Sequence, residues 1–129
     1  MVRIILDTNF LMIPLEFKVD IFSEIKRLMI EPYELFIFEA TLDELVKLSR
    51  GNSKAAAAAK ATIKLIKQKN LKSLTNSNDE KYVDSLILEG STSKDIVCTQ
   101  DQALKRLLKA KHKGIRLITL KSKKYLGYE

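Results

Sequence analysis

Four acidic residues, Asp7, Glu44, Asp84 and Asp101, occupy positions where carboxylates do chemistry. Asp7 closes the aliphatic run Val2-Arg3-Ile4-Ile5-Leu6 and is followed at once by Thr8-Asn9. Such a run reads as a short buried strand, and an ionisable group at its carboxyl end stands where open α/β sheets place their active sites. The pattern recurs at Ile96-Val97-Cys98-Thr99, which delivers Thr99 and Asp101 just ahead of a helical stretch over 102–108. Carboxylates gathered without a cation repel and raise one another's pKa, so a cluster of them implies a bound cation. Oxygen-only ligands select Mg²⁺ or Mn²⁺ with several waters retained. Such an ion can generate hydroxide and stabilise charge on a phosphate during in-line displacement.

Each acid also has a purely structural use. Asp7 suits a cap on the following turn, Asp101 a helix N-cap, and Glu44 a capping box opened by Thr41. Asp84, next to Val83, suits a helix surface. The chemical reading rests on where all four would meet, which is a question about the elements that carry them.

Helical spacing over 20–30, with Ile21, Ile25 and Leu28 inward, ends at Pro32. Leu35-Phe36-Ile37-Phe38 reads as a second buried strand, and 41–48 as a helix with Leu42, Leu45 and Leu48 on its apolar face. After the break at Gly51, Ser53 caps a strong helix over 54–69, whose alanines allow close packing against a neighbour. A short edge strand at 71–74, turn chemistry at 75–78 and a helix from Asp79 to about Glu89 follow. The Ile96 strand, a helix over 102–111, the Gly114 turn and a last strand over 115–119 complete a βα series. Alternation of this kind predicts a single α/β domain over 1–129, a parallel sheet of four to five strands with helices on both faces. The carboxyl ends of its first and fourth strands flank the crevice where strand order reverses.

The composition narrows the partners. A formal charge of +7 favours a polyanion, with lysine and arginine gathered at 60–72 and 105–124 around an acidic centre. Lys105 and Arg106, close after Asp101, are candidates for holding a phosphate. The lone Cys98, inside a strand, reads as a small buried hydrophobe, and His112 in a lysine-rich turn as a solvated side chain. Neither a zinc site nor a Cys/His nucleophile fits. No apolar stretch approaches the roughly 20 residues of a membrane span, and the expected location is the cytoplasm. Aspartyl phosphoryl transfer is disfavoured: Asn9 stands where a phosphatase needs an acid, and 71–76 lacks a receiver domain's aspartate. Tyr125 and Tyr128 are expected to pack the chain's end onto the body rather than stack on bases.

In order along the chain, Leu6-Asp7-Thr8-Asn9, Leu42-Asp43-Glu44-Leu45, Tyr82-Val83-Asp84-Ser85-Leu86 and Thr99-Gln100-Asp101 resemble the motifs of PIN domains, a metal-dependent ribonuclease fold. The resemblance covers nearly the whole chain. It implies that Asp7, Glu44, Asp84 and Asp101 form the acidic centre, with Thr99 supporting Asp101, Asn9 orienting Asp7 or contacting the metal's surroundings, and Thr8 assisting. The implied reaction is endonucleolytic hydrolysis of single-stranded or looped RNA, leaving 5′-phosphate and 3′-hydroxyl ends. Lys81-Tyr82-Val83-Asp84, Leu104-Lys105-Arg106 and Lys123-Lys124-Tyr125 resemble most the ribosomal-RNA-processing branch of archaea and eukaryotes. Ser85 departs from it, standing where that branch often has a second aspartate, which implies weaker metal affinity. The toxin branch of toxin–antitoxin pairs is the second choice; it implies a homodimer and an antitoxin partner. A non-catalytic RNA-binding or ribosome-assembly module is the third.

Overall fold

The aliphatic runs become strands and the amphipathic segments become helices in a computed structural model that describes residues 1–75 and 82–129. In chain order the elements are β1 (Val2–Leu6), α1 (Thr8–Leu11), α2 (Ile13–Phe17), α3 (Ile21–Leu28), β2 (Tyr33–Phe38), α4 (Glu39–Leu48), α5 (Lys54–Gln68), β3 (Lys72–Leu74), α6 (Val83–Gly90), β4 (Ile96–Cys98), α7 (Gln102–Lys111), β5 (Arg116–Lys121) and β6 (Tyr125–Tyr128). The strands form one sheet in the order β3-β2-β1-β4-β5-β6, parallel except for β6, which runs antiparallel to β5. The chain therefore grows outward from β1 on one side and then returns to start the other side at β4. Strand order reverses between β1 and β4, as the βα series predicts, and that point is where such sheets open a crevice.

Alternation along the central strands splits the core in two. Ile4, Leu6, Ile96, Cys98 and Ile118 face the cluster built with α1, α2, α3 and α5, while Ile5, Val97 and Leu117 face Val83, Leu86, Leu104 and Leu108 of α6 and α7. Strands buried on both faces have no polar alternation, which is why their sequences read as continuous aliphatic runs. Cys98 is fully buried and its thiol pKa is pushed far up by that burial, so it is the inert hydrophobe its position suggests.

Several details differ from the expectation. The first crossover holds two short helices, α1 and α2, that the reading of spacing had passed over. Helix α4 starts at Glu39, with Phe38 at its N-cap and no side-chain cap, so Thr41 is a buried residue within the helix and no capping box forms. The strand at 115–119 is not the last: β6 adds a sixth, with Leu126 paired to Leu120, and Tyr125 and Tyr128 belong to that strand. Its hairpin turns through Ser122 and Lys123, both left-handed at φ 52 and 56. His112 ends α7 half-buried, with Nε2 at 2.9 Å from the Leu88 carbonyl, rather than freely solvated. The turn at 76–78 and the helix start at Asp79 lie outside the described residues. Among the described residues, no helix is long and apolar enough to cross a membrane.

Candidate active site

Asp7 and Thr99 leave the sheet side by side because Leu6 stands opposite Cys98 in the β1–β4 register. Asp7 N donates to the Cys98 carbonyl at 3.0 Å, which holds the two exits together. As the N-cap of α1, Asp7 accepts from Thr8 N through Oδ1 at 2.8 Å, and through Oδ2 it accepts from Thr99 Oγ1 at 2.8 Å. Thr99 in turn accepts from Asp101 N at 3.1 Å, so one hydroxyl joins the two aspartates. Asp101 is the N-cap of α7, its Oδ1 accepting from Leu104 N at 3.1 Å.

The electrostatics link all four acids. Asp7 is buried, and burial pushes its pKa up to about 6 against the hydrogen bonds from Thr99 and Thr8, with the charges of Asp84 and Asp101 adding to the rise. Burial also raises Glu44; the neighbouring Thr8 hydroxyl opposes that rise and Asp84 adds to it. Asp84 is raised by burial, by the charge of Asp101 and by a hydrogen bond it shares with Asp101. Helices α4 and α6 therefore bring Glu44 and Asp84 to the crevice from opposite faces of the sheet. Both caps at Asp7 and Asp101 form as their local sequence suggests, and neither exhausts its carboxylate.

Two of the supporting residues behave differently from one another. Thr8 is buried beside Asp7 and Glu44, its Oγ1 facing Glu44 without closing a well-formed hydrogen bond, and the hydroxyl of buried Thr41 closes none among the described residues. Asn9 lies exposed on α1, and among the described residues its side chain makes no hydrogen bond to Asp7. Arg106 is exposed on α7. Lys105 is not: it is 3% exposed, and its Nζ bonds Thr119 Oγ1 at 2.9 Å and Glu129 Oε2 at 2.7 Å. Gln100, which spacing did not single out, accepts from Thr119 Oγ1 at 2.6 Å and Leu120 N at 2.7 Å, fastening the Thr99–Asp101 loop to β5.

The donor chemistry fits a hard divalent cation. Asp7, Glu44 and Asp84 are each raised in pKa by burial and by one another's or Asp101's charge, and buried Thr8 keeps an unsatisfied hydroxyl beside them. A cation would relieve the repulsion and the orphaned oxygen together. Among the described residues no three His, Cys, Asp or Glu side chains already stand at metal-ligand spacing.

A family model described as a PIN like domain matches residues 4–123. The chain belongs to the PIN-like domain family. Among solved structures, the PIN fold here superposes on the PIN domain endonuclease Utp24 with a TM-score of 0.81 at 22% identity, covering 98% of this chain and 90% of that one. A domain of a functionally unknown protein from Methanocaldococcus jannaschii DSM 2661 gives a TM-score of 0.61 at 16% identity, covering 95% and 93%. VapBC2 from Rickettsia felis, solved with a DNA fragment from its promoter, gives 0.57 at 13% identity, covering 91% and 98%. No curated protein matches the sequence. This PIN chain shares the α/β architecture of those structures.

Proposed function

We propose that this PIN-like chain is a divalent-cation-dependent endoribonuclease that hydrolyses single-stranded or looped RNA in the cytoplasm. The observation that carries the reading is the electrostatic coupling of Asp7, Glu44, Asp84 and Asp101 at the β1–β4 switch point, with Asp7 and Asp101 joined through Thr99. Asp7 and Asp101 would be direct ligands of Mg²⁺ or Mn²⁺, with Glu44 and Asp84 completing the site directly or through water. When bound, such an ion lowers the pKa of water and neutralises charge that builds on the phosphate.

The chain's own residues prepare that chemistry. Thr99 holds Asp7 and the Asp101 backbone in one geometry, and the Gln100 tie to β5 keeps the loop between them from shifting. Asp84, raised in pKa by burial and by Asp101, would be held in its charged form by a bound cation. Exposed Arg106, on the helix that Asp101 caps, is placed to hold a phosphate adjacent to the scissile one. Asn9, exposed beside Asp7, would hold water or substrate rather than Asp7 itself.

Within the family we assign the chain to RNA processing, with rRNA as the expected substrate, rather than to the toxins. The larger TM-score against the Utp24 endonuclease than against VapBC2 supports that choice, as does the basic carboxyl-terminal region. The test is cleavage of a labelled single-stranded RNA in Mn²⁺, Mg²⁺ or EDTA, beside an identically purified Asp7→Asn protein. Metal-dependent products with 5′-phosphate ends, absent from the variant, are expected. Equal cleavage by both proteins would sink the proposal, and salt-sensitive binding without cleavage would favour the non-catalytic module.

A further inference from the structure

Lys105 lies one turn after Asp101 on α7, so the two side chains share a helix face, and its ammonium is almost fully removed from water. A buried ammonium needs an anion, and the one it has is Glu129, at 2.7 Å. Lys105 foremost, with the charges of Lys109 and Lys121 adding to it, holds Glu129 below its ordinary pKa. Lys121 reaches it because position 127 is glycine: its Cγ and Cε lie 3.3 Å from where a Cβ would stand, so its stem lies over that residue. The Lys105 ammonium thus contacts the Glu129 carboxylate and, at 2.9 Å, the Thr119 hydroxyl, with the charges of Lys109 and Lys121 acting on the same carboxylate. The excess of positive charge suits a strand bearing successive phosphates better than it suits a single side chain.

The Glu129 side chain is 31% exposed, against 4% for that of Lys105, so it is the solvent-facing half of the pair. Its backbone N donates to the Leu117 carbonyl at 3.0 Å, which fixes the main chain and leaves only the side chain to swing away. We infer that Lys105 and Lys121 form a phosphate-binding site beside the acidic centre, with Thr119 positioning the Lys105 ammonium, in which the Glu129 carboxylate occupies the phosphate's place until an RNA strand displaces it. The choice of RNA as the source of the phosphate rests on the nuclease reading; the anion site does not. Lys105 then holds a phosphate only after that exchange, while Arg106 is open to one throughout.

The experiment is fluorescence anisotropy with a labelled single-stranded oligouridylate in EDTA, where binding is read without cleavage, on the unaltered chain, Glu129→Gln and Glu129→Gln/Lys105→Met. Glu129→Gln is expected to bind about three- to tenfold more tightly, with a salt slope steeper by about 0.7, the value of one further phosphate on a single strand. Adding Lys105→Met should abolish both gains. Binding by Glu129→Gln no tighter than by the unaltered chain, or a gain that survives Lys105→Met, overturns the site. If the variants fail to fold, the unaltered chain is titrated with the same RNA while the Lys105 Nζ and Glu129 Cδ resonances are followed. Both must shift, and stationary resonances overturn the inference. RNA bound through this site by a chain that never cleaves would remove the nuclease reading and leave the site standing.

Discussion

Asp7 is held in a place that resists its charge. Its folded pKa of about 6, against an ordinary 3.8, means that the native state binds the proton more tightly than the unfolded chain does. Stability therefore falls as pH rises from about 4 to 6 and stays lowered above that. The full deficit is about 3 kcal/mol, roughly two pH units at about 1.4 kcal/mol each. In EDTA, Asp7→Asn is expected to raise the melting temperature at pH 7.5 and to lose that advantage near pH 4; thermal unfolding at both pH values checks this, and an advantage unchanged by pH contradicts it. The place of Asp7 was legible in the sequence, since a carboxylate directly after an aliphatic run has only the strand end to occupy. The fate of Lys105 was not legible. Its neighbours on α7 suit a solvated face, and what buries it are Thr119 and Glu129, contributed by a hairpin that local spacing does not announce.

Elements position the site through a few close contacts. Gly90 ends α6 where a Cβ would stand 2.8 Å from Phe38 Cζ, and Phe38 is both buried and the N-cap of α4, the helix that carries Glu44. In an open helix Gly→Ala gains stability, but here the ring must give way. Gly90→Ala is expected to cost about 1–2 kcal/mol in urea unfolding, and a stabilised variant would contradict the packing. Ala59, fully buried on α5, makes the same kind of demand: Ala59→Leu should cost about 1–3 kcal/mol, while exposed Ala57→Leu stays within about 0.5 kcal/mol. Helix α5 was legible because its Ser53 cap and alanine stripe act locally, and Ser53 does accept from Ala56 N. The start of α4 was not, because β2 runs straight into it and the Thr41–Glu44 spacing imitates a cap that the tertiary structure does not use. Strand β6 needs β5 as its partner and has no pattern of its own.

Over the whole molecule, a +7 chain gathers four of its acids at the switch point of the sheet and sets lysines and Arg106 on the elements around it. On the proposed function, the rim would attract the polyanion and the centre the cation. RNA affinity should fall linearly with the logarithm of salt concentration, by about 0.7 in slope for each phosphate held; an affinity indifferent to salt would contradict an electrostatic surface. The claim that the four carboxylates act as one cation centre is most directly tested by calorimetric titration of Mn²⁺ near pH 6, in two buffers of different ionisation enthalpy. Binding with net proton release is predicted, because Asp7, with its pKa of about 6, must surrender its proton, and it should be lost in Asp7→Asn and Asp101→Asn. Mn²⁺ bound equally well by those variants, or not bound by the unaltered chain, would contradict it.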